Sequence, residues 1–172
     1  MTIHESRTGE ARVWRSLTQL VAHVIDHHHA AARVAMDRIA PLASKVCRAH
    51  GDRHPELFRV VELFDQVCAD LGPHMRAEEG ALFPAILQMV RPDCDPDKRE
   101  ELRVSIVVMQ HDHEMIGRLL HQMREVTSGY QVPEDACTSY RALYKDLEAF
   151  EGELHEHIHL ENNVLLPRAI AV

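Results

Sequence analysis

The sequence predicts an all-α protein that folds as an up-down-up-down antiparallel four-helix bundle. Four long stretches place apolar residues three and four positions apart, which is the spacing of a helix with one buried face. Alternating apolar and polar runs, which would indicate β-strands, are nearly absent. The breaks between the stretches are short and contain glycine or proline, so consecutive helices are expected to pack side by side in opposite directions.

The first helix is predicted from Trp14 onward, with His23 beside its apolar stripe. Pro41 falls within the pattern and is expected to kink or interrupt the helix, because proline has no backbone N–H to donate. Residues 1–10 are polar and are expected to form a flexible N-terminus ahead of one bundle domain at residues 11–172. The predicted inner stripe of this helix consists of Leu17, Leu20, Val24, His27, Ala31, Ala35, Ile39, Leu42 and Val46.

The other three helices are separated by clear breaks. The second follows a turn at residues 49–55, and Glu78 falls within its apolar stripe. The third begins after a proline-containing break at residues 91–97, and the fourth runs from the break at residues 127–133 to about Pro167. The inner face of the third helix is predicted at Val104, Val108, His111, Met115 and Leu119.

Charge and composition exclude two kinds of partner. The chain has 172 residues and a formal net charge of -8, with no cluster of Lys and Arg to offset it. Nucleic acid and anionic membrane surfaces are therefore not expected as partners, because both repel such a chain. Neither a signal sequence nor an apolar run of about 18 residues is present, so a cytoplasmic location is expected.

The cysteines carry no recognisable motif. Cys47, Cys68, Cys94 and Cys137 are widely spaced and include no Cys-x-x-Cys pair. In a cytosolic chain such cysteines are interpreted as reduced, structural thiols, and no chemistry is assigned to them.

The chemistry is concentrated in a duplicated His-x-x-x-Glu motif. His157 and Glu161 lie one helical turn apart on the apolar face of the fourth helix, and His74 and Glu78 have the same spacing on the second. In both copies, Leu, then Leu or Phe, then Pro follow eight, nine and ten positions after the histidine. A buried carboxylate must be neutralised by a proton, a cation or a metal ion, and the neighbouring histidines favour a metal.

Two further histidines complete the predicted site. His23 is followed by Asp26, and His111 by Glu114, so each half of the chain reads His-x-x-acid and then His-x-x-x-Glu. Six ligands are too many for one tetrahedral zinc ion, whereas imidazoles with bridging carboxylates suit two iron or manganese ions. The predicted ligands are His23, His74, Glu78, His111, His157 and Glu161.

The remaining histidines are ranked below this set. His27 lies one turn after His23 and is left open as an additional ligand. Six others are interpreted as supporting, surface or opportunistic contacts: His28, His29, His113, His121, His155 and His159.

These motifs resemble the haemerythrin-like fold and, within it, the di-iron repair-of-iron-centres family, which serves iron–sulfur cluster repair. The resemblance rests on the His74 and His157 motifs and on His111-Asp-His-Glu, and it covers about residues 15–170. It implies two iron ions with an oxo or hydroxo bridge, bridged also by Glu78 and Glu161, although manganese or zinc can occupy such a site in purified samples. Family members usually carry a small cysteine-containing N-terminal domain, and this chain begins almost directly with the first helix.

The resemblance also implies a function in the nitrosative or oxidative stress response. The expected ligand is nitric oxide or peroxide, and iron–sulfur proteins are the expected partners. Haemerythrin-type oxygen binding or sensing is the alternative, and a di-iron peroxidase or iron store is a third. Oxygen-carrying haemerythrins have a further histidine on helix three where Met115 stands here, which favours the first reading. Whether the protein is an enzyme stays open.

Overall fold

The computed structural model describes residues 16–89 and 96–171, and all the regular elements in these two ranges are helical, which confirms the all-α prediction. The predicted flexible N-terminus, Trp14 and most of the predicted break at residues 91–97 lie outside these ranges. Helix α1 consists of Leu17–His23, Val24–His29 and Ala30–His50, and α2 consists of Glu56–Ala77, Glu78–Leu82 and Phe83–Met89. Helix α3 is Pro96–Val126, and α4 consists of Thr138–Leu160, Glu161–Leu165 and Leu166–Ile170.

The four helices form the predicted bundle. Helix α1 packs against α2 and α4, and α2 packs against α3. Consecutive helices are neighbours, as expected for an antiparallel bundle with short connections. Three five- or six-residue segments, the middle sections of α1, α2 and α4, are π-helical turns within otherwise α-helical rods.

The apolar core is divided into two clusters along the bundle axis. One fills the half that contains the α1–α2 connection and includes Ile39, Leu57, Phe64 and Tyr140. The other fills the opposite half, with the following members among the most buried: Leu20, Val24, Phe83, Ile86, Ile106 and Leu165. Each helix therefore crosses from one apolar cluster to the other, and the residues at the crossing are polar.

The inner face of α3 differs from the predicted one. Val104, Val108 and Met115 are 60%, 51% and 41% exposed, and His111 is exposed as well. The buried face has an unbroken three-four spacing of larger side chains, which fills the core better than the valine-rich stripe. It consists of Leu102, Ile106, Met109, His113, Ile116, Leu120 and Met123, of which Met109 is partly buried.

The inner face of α1 also departs from a constant helical period. Val24 and His29 are both buried although they are five residues apart, and His27 is exposed. A π-helical turn has one more residue than an α-helical turn, so the inward direction falls on the fifth residue rather than the third or fourth. The α-helical section Ala30–His50 continues through Pro41, so the predicted interruption does not occur.

Gly51 is required by close packing in the α1–α2 connection. A Cβ atom at this position would lie 2.6 Å from the carbonyl oxygen of Cys47 and 2.9 Å from the ring of Phe58. We therefore expect Gly51→Ala to lower the free energy of unfolding by about 1–3 kcal/mol, as overpacking does. Urea unfolding followed by far-UV circular dichroism measures this as a lower midpoint with an unchanged slope.

Gly152→Ala is the matched control for this substitution. Gly152 is exposed in α4, and a Cβ there meets nothing within 4 Å, so alanine should raise stability by about 0.5–1 kcal/mol. Equal effects of both substitutions would contradict the packing argument.

Candidate metal centre

Six polar side chains meet where the four helices cross between the two apolar clusters. They belong to two groups of potential metal donors, within each of which the donor atoms lie within 4.8 Å of one another. One group is His29, Glu78, His157 and Glu161, and the other is His74, Glu78, His113 and Glu161. Each of the six residues is at most 4% exposed, so the cluster is enclosed by the fold.

Each carboxylate faces both groups. Glu78 places Oε2 3.2 Å from Nε2 of His29 and Oε1 3.3 Å from Nε2 of His74. Glu161 places Oε1 3.0 Å from Nε2 of His157 and Oε2 3.0 Å from Nε2 of His113. Both glutamates therefore offer one oxygen to each group, which is the arrangement of a carboxylate that bridges two metal ions.

Three of the four imidazoles are oriented by an oxygen at the opposite side of the ring. Nδ1 of His29 lies 2.7 Å from Glu79, and Arg33 donates a 2.8 Å hydrogen bond to the same Glu79 oxygen. Nδ1 of His113 lies 3.0 Å from Oδ1 of Asn162. Because these oxygens accept a hydrogen from Nδ1, the lone pair of each ring is left on Nε2, as metal-bound histidines require.

His74 has the same arrangement and shows why the centre fits a cation. Its Nδ1 lies 3.4 Å from Asp112, and its Nε2 lies 2.9 Å from Nε2 of His113. Two Nε2 lone pairs at this distance repel each other unless a proton or a metal ion lies between them.

Several buried polar atoms of the cluster also make no hydrogen bond within the described residues. They include Nε2 of His29, Oε2 of Glu78 and Oε2 of Glu161. Leaving buried polar atoms unpaired costs about 1–3 kcal/mol each, and more for charged groups. Iron, manganese and zinc all bind imidazole nitrogen and carboxylate oxygen. The donor atoms of this cluster are therefore suitable ligands for a metal ion.

Without a metal, the carboxylates favour protonated histidines. Burial lowers the pKa of His29, but the nearby carboxylates of Glu161, Glu78 and Glu79 outweigh burial and raise this pKa to about 9. The pKa of His113 is raised in the same way, against burial, by Glu161. Burial alone would raise the pKa of Glu161, yet His157 and His113 bring it well below its usual value. Glu161 thus stays ionised, and this buried negative charge requires positive charge beside it.

Proline explains why the two glutamates share one local structure. Glu78 and Glu161 each begin a π-helical turn, and each turn is followed after one residue by a proline, Pro84 or Pro167. A proline in a helix lacks an N–H and its ring clashes with the carbonyl four residues earlier. The wider π turn accommodates this proline, since the preceding residue donates to the carbonyl five residues back, as Phe83 does to Glu78.

The structure brings four of the predicted ligands together and leaves the others outside. His74, Glu78, His157 and Glu161 belong to the cluster. His111 is exposed on the outer face of α3, and His113 occupies the inward position. His23 and His27 lie on α1 outside the cluster, with their ring centroids 4.3 Å apart, and His29 faces inward in their place.

Both differences between the predicted ligand set and the cluster involve helical register. The buried face of α3 contains His113 rather than His111, and the π turn of α1, which follows His23, turns His29 inward rather than His27. The sequence did contain a signal for the alternative pair. His29 and His113 are 84 residues apart, close to the 83 residues that separate His74 from His157 and Glu78 from Glu161. His23 and His111 are 88 residues apart and fit the repeat less well.

A cleft between α1 and α4 adjoins the cluster. Its volume is about 780 Å³, and His157 lines it while also belonging to the metal-donor group. His23, His27 and His28 line the α1 side, and Glu153 and Glu156 line the α4 side. Burial, together with the neighbouring His157 and His23, lowers the pKa of His28 to about 4, so His28 is neutral at pH 7.

Comparison with known proteins identifies the family. Residues 20–169 match the model of the Hemerythrin HHE cation binding domain. The chain belongs to the haemerythrin family. Among its relatives is the iron-sulfur cluster repair protein ScdA of Staphylococcus haemolyticus, 36% identical over 146 residues, which are 85% of this chain and 64% of that relative. The iron-sulfur cluster repair protein YtfE of Pectobacterium atrosepticum is 34% identical over 167 residues, which are 96% of this chain and 72% of that relative.

These comparisons support the resemblance drawn from the motifs. Relatives named for iron–sulfur cluster repair match most of this haemerythrin-family chain, while the chain spans just under two thirds of the ScdA relative. Among residues 16–89 and 96–171, none of the helices has the length and apolar character of a membrane span.

Substitution of the structurally assigned and the sequence-predicted histidines should give opposite results. We expect His29→Gln and His113→Gln to lower the metal content, because each removes a buried Nε2 donor. His23→Gln and His111→Gln serve as matched controls on the same two helices and should keep the wild-type metal content. Metal analysis of the four purified variants tests this, and loss of metal in the control variants instead would contradict the assignment.

The metal-free protein should lose stability as the pH rises from about 6.5 to about 9. A folded-state pKa of about 9 for His29 means that its stabilising contribution is fully present below the unfolded value of 6.5 and is lost as the pH passes 9. The contribution of Glu161 has the opposite sign, being present above about pH 4.5 and lost only in acid. Denaturant unfolding after chelation should show a loss of roughly 3 kcal/mol across this range.

His29→Gln provides the comparison for this pH dependence. The metal-free variant should show a smaller loss over the same range, because the group that titrates has been removed. If the metal-free wild-type protein became more stable between pH 6.5 and 9, the predicted direction of the pH dependence would be contradicted.

Proposed function

We propose that this haemerythrin-family chain is a non-haem di-iron protein of the nitrosative and oxidative stress response, which binds or reduces nitric oxide and serves iron–sulfur cluster repair. The observation that carries the proposal is the pair of donor groups that share Glu78 and Glu161. Because each carboxylate offers one oxygen to each group, two metal ions fit side by side where one ion would leave donors unused.

The proposed ligand set gives both metal ions equivalent surroundings. His29 and His157 would hold one ion, His74 and His113 would hold the other, and both glutamates would bridge. Each ion would have two nitrogen and two oxygen ligands from the protein. A metal that prefers five or six ligands would then have positions left for an exogenous ligand. Bound iron would supply a redox couple and these open positions, which is the chemistry that nitric oxide or peroxide requires.

The protein's own contribution is to fix the donors and limit access by water. Glu79, Asp112 and Asn162 orient three imidazoles, and Arg33 in turn holds Glu79. Apolar residues cover the cluster on both sides along the bundle axis, including Met75 and Leu82, which flank Glu78 in α2. The cleft lined by His157 and His28 is large enough for a diatomic molecule to approach from one side.

The named relatives support the repair function rather than oxygen carriage. The ScdA and YtfE relatives are called iron-sulfur cluster repair proteins, so we propose iron–sulfur proteins as partners of this chain. The cluster contains four imidazoles, two in each group, and α3 contributes one of them, His113. The resemblance associates reversible oxygen binding with an additional histidine ligand on helix three, and this cluster does not contain one.

Metal analysis combined with ligand addition tests the proposal. We expect about two iron ions per chain, a change in optical and EPR spectra after anaerobic addition of nitric oxide, and no reversible oxygen spectrum. Glu78→Ala should release metal and abolish the response, because both donor groups lose an oxygen. Glu148→Ala changes an exposed glutamate on α4 that does not line the cleft, and it is the control that should behave as wild type.

Other outcomes would point to other functions. A reversible spectrum after air exposure would select oxygen binding, and rapid turnover with peroxide would select a peroxidase. One metal ion per chain, or unchanged metal content in Glu78→Ala, would contradict the shared-carboxylate centre. Failure to restore the cluster of a nitric-oxide-damaged iron–sulfur protein would remove the repair part of the proposal.

A further inference from the structure

The described cysteines differ sharply in their surroundings. Burial raises the pKa of Cys47, and burial together with Asp65 and Asp37 raises the pKa of Cys68 to about 11. These two thiols therefore stay protonated at pH 7, and Cys47 is buried as well. Cys137 is exposed and lies in a different setting, at the end of the bundle where the connections α1–α2 and α3–α4 meet.

Cys137 and His50 form a close polar pair. The Sγ atom of Cys137 lies 3.1 Å from Nε2 of His50, the last residue of α1. His50 is 7% exposed, and its Nδ1 makes no hydrogen bond within the described residues, so the thiol is the polar partner of this ring. The Tyr140 ring packs beside His50 with a centroid distance of 5.3 Å and holds it in place.

The position of Cys137 in the chain adds to this pairing. Cys137 directly precedes the 23-residue helical section Thr138–Leu160, and its side chain makes no capping hydrogen bond. The sulfur therefore lies at the positive end of a long helix and is left available to His50. A helix N-terminus and an adjacent imidazole are both known to favour the thiolate, which is the nucleophilic form of cysteine.

The acidic residues nearby are engaged by other groups. The carboxylate oxygens of Asp135 lie 2.9 Å from Nε2 of His54 and 3.2 Å from a guanidinium nitrogen of Arg53. Glu56 contacts the other ring nitrogen of His54 at 3.3 Å and the hydroxyl of Tyr140. His54 and Arg53 thus counter the negative charge at this end of the bundle.

We propose that Cys137, with His50 as its proton acceptor, is a reactive thiol that forms mixed disulfides with low-molecular-mass disulfides of the glutathione class. The Cys137 thiol gives its proton to Nε2 of His50, and the thiolate sulfur attacks one sulfur of the small disulfide. A new S–S bond forms as the original S–S bond breaks, and the departing thiolate takes up a proton. Cys137 is oxidised to the mixed disulfide, and the reagent is reduced to one free thiol.

The rate of modification of Cys137 in the full chain tests this proposal. The protein is incubated with oxidised glutathione, quenched with N-ethylmaleimide and digested, and the modified Cys137 peptide is quantified by mass spectrometry. At pH 7 we expect Cys137 to react at least about tenfold faster in the folded protein than in the same chain unfolded in guanidinium chloride, where the thiol has only its ordinary small thiolate fraction. Cys47 and Cys68 should react more slowly in the folded protein than in the unfolded chain.

Two substitutions separate the His50 contact from general accessibility. His50→Gln should slow the folded-state reaction of Cys137 by about tenfold and make its rate rise steeply between pH 6 and 8, where the wild-type rate changes less. His54→Gln is the matched control, because His54 contacts Asp135 and Glu56 rather than the thiol. Circular dichroism and melting temperature check that both variants fold.

Either of two results would overturn the proposal. The first is a Cys137 that reacts no faster in the folded wild-type protein than in the unfolded chain, a comparison that needs no variant. The second is a folded His50→Gln protein with the wild-type rate and the wild-type pH profile. If His50→Gln fails to fold, the comparison of folded with unfolded wild-type protein decides.

Discussion

Two buried carboxylates in the middle of an apolar core are the constraint on which the rest of this structure depends. Glu78 and Glu161 are 1% and 0% exposed, and a carboxylate buried this deeply must be neutralised by a proton, a cation or a metal ion. Protons on the surrounding imidazoles can supply positive charge, and so can metal ions bound by the same imidazoles. A metal is the better match, because it satisfies Nε2 and carboxylate lone pairs together, where protons leave several of these atoms unpaired.

The local geometry of the helices serves this one requirement. π-helical turns occur in α1, α2 and α4, and each has a cluster residue at one of its ends: His29, Glu78 or Glu161. An α-helix presents side chains on one face at intervals of three and four, whereas a wider turn re-aims a single residue without ending the helix. The bundle can therefore keep two continuous apolar clusters and still direct six polar side chains to their junction.

The internal repeat gives the centre its approximate two-fold character. The α1–α2 and α3–α4 pairs each contribute one outlying histidine and one His-x-x-x-Glu motif. The oxygens of each glutamate then divide between the two donor groups, so neither half of the chain can build either group alone. Binding of metal is consequently coupled to packing of the two helix pairs, which connects the chemistry of the centre to the stability of the fold.

The sequence by itself determined the helical class, the bundle and the four residues of the duplicated motif, because periodicity and spacing within one helix are local properties. It did not determine which histidine of 27–29 or of 111–113 faces inward, and the predictions of His23, His27 and His111 stand apart from the cluster that the structure forms. That choice depends on an extra residue in the π turn of α1 and on which of two apolar stripes of α3 packs against α2. Both are settled only when the helices come together, since the free energy that selects a register comes from filling a shared core.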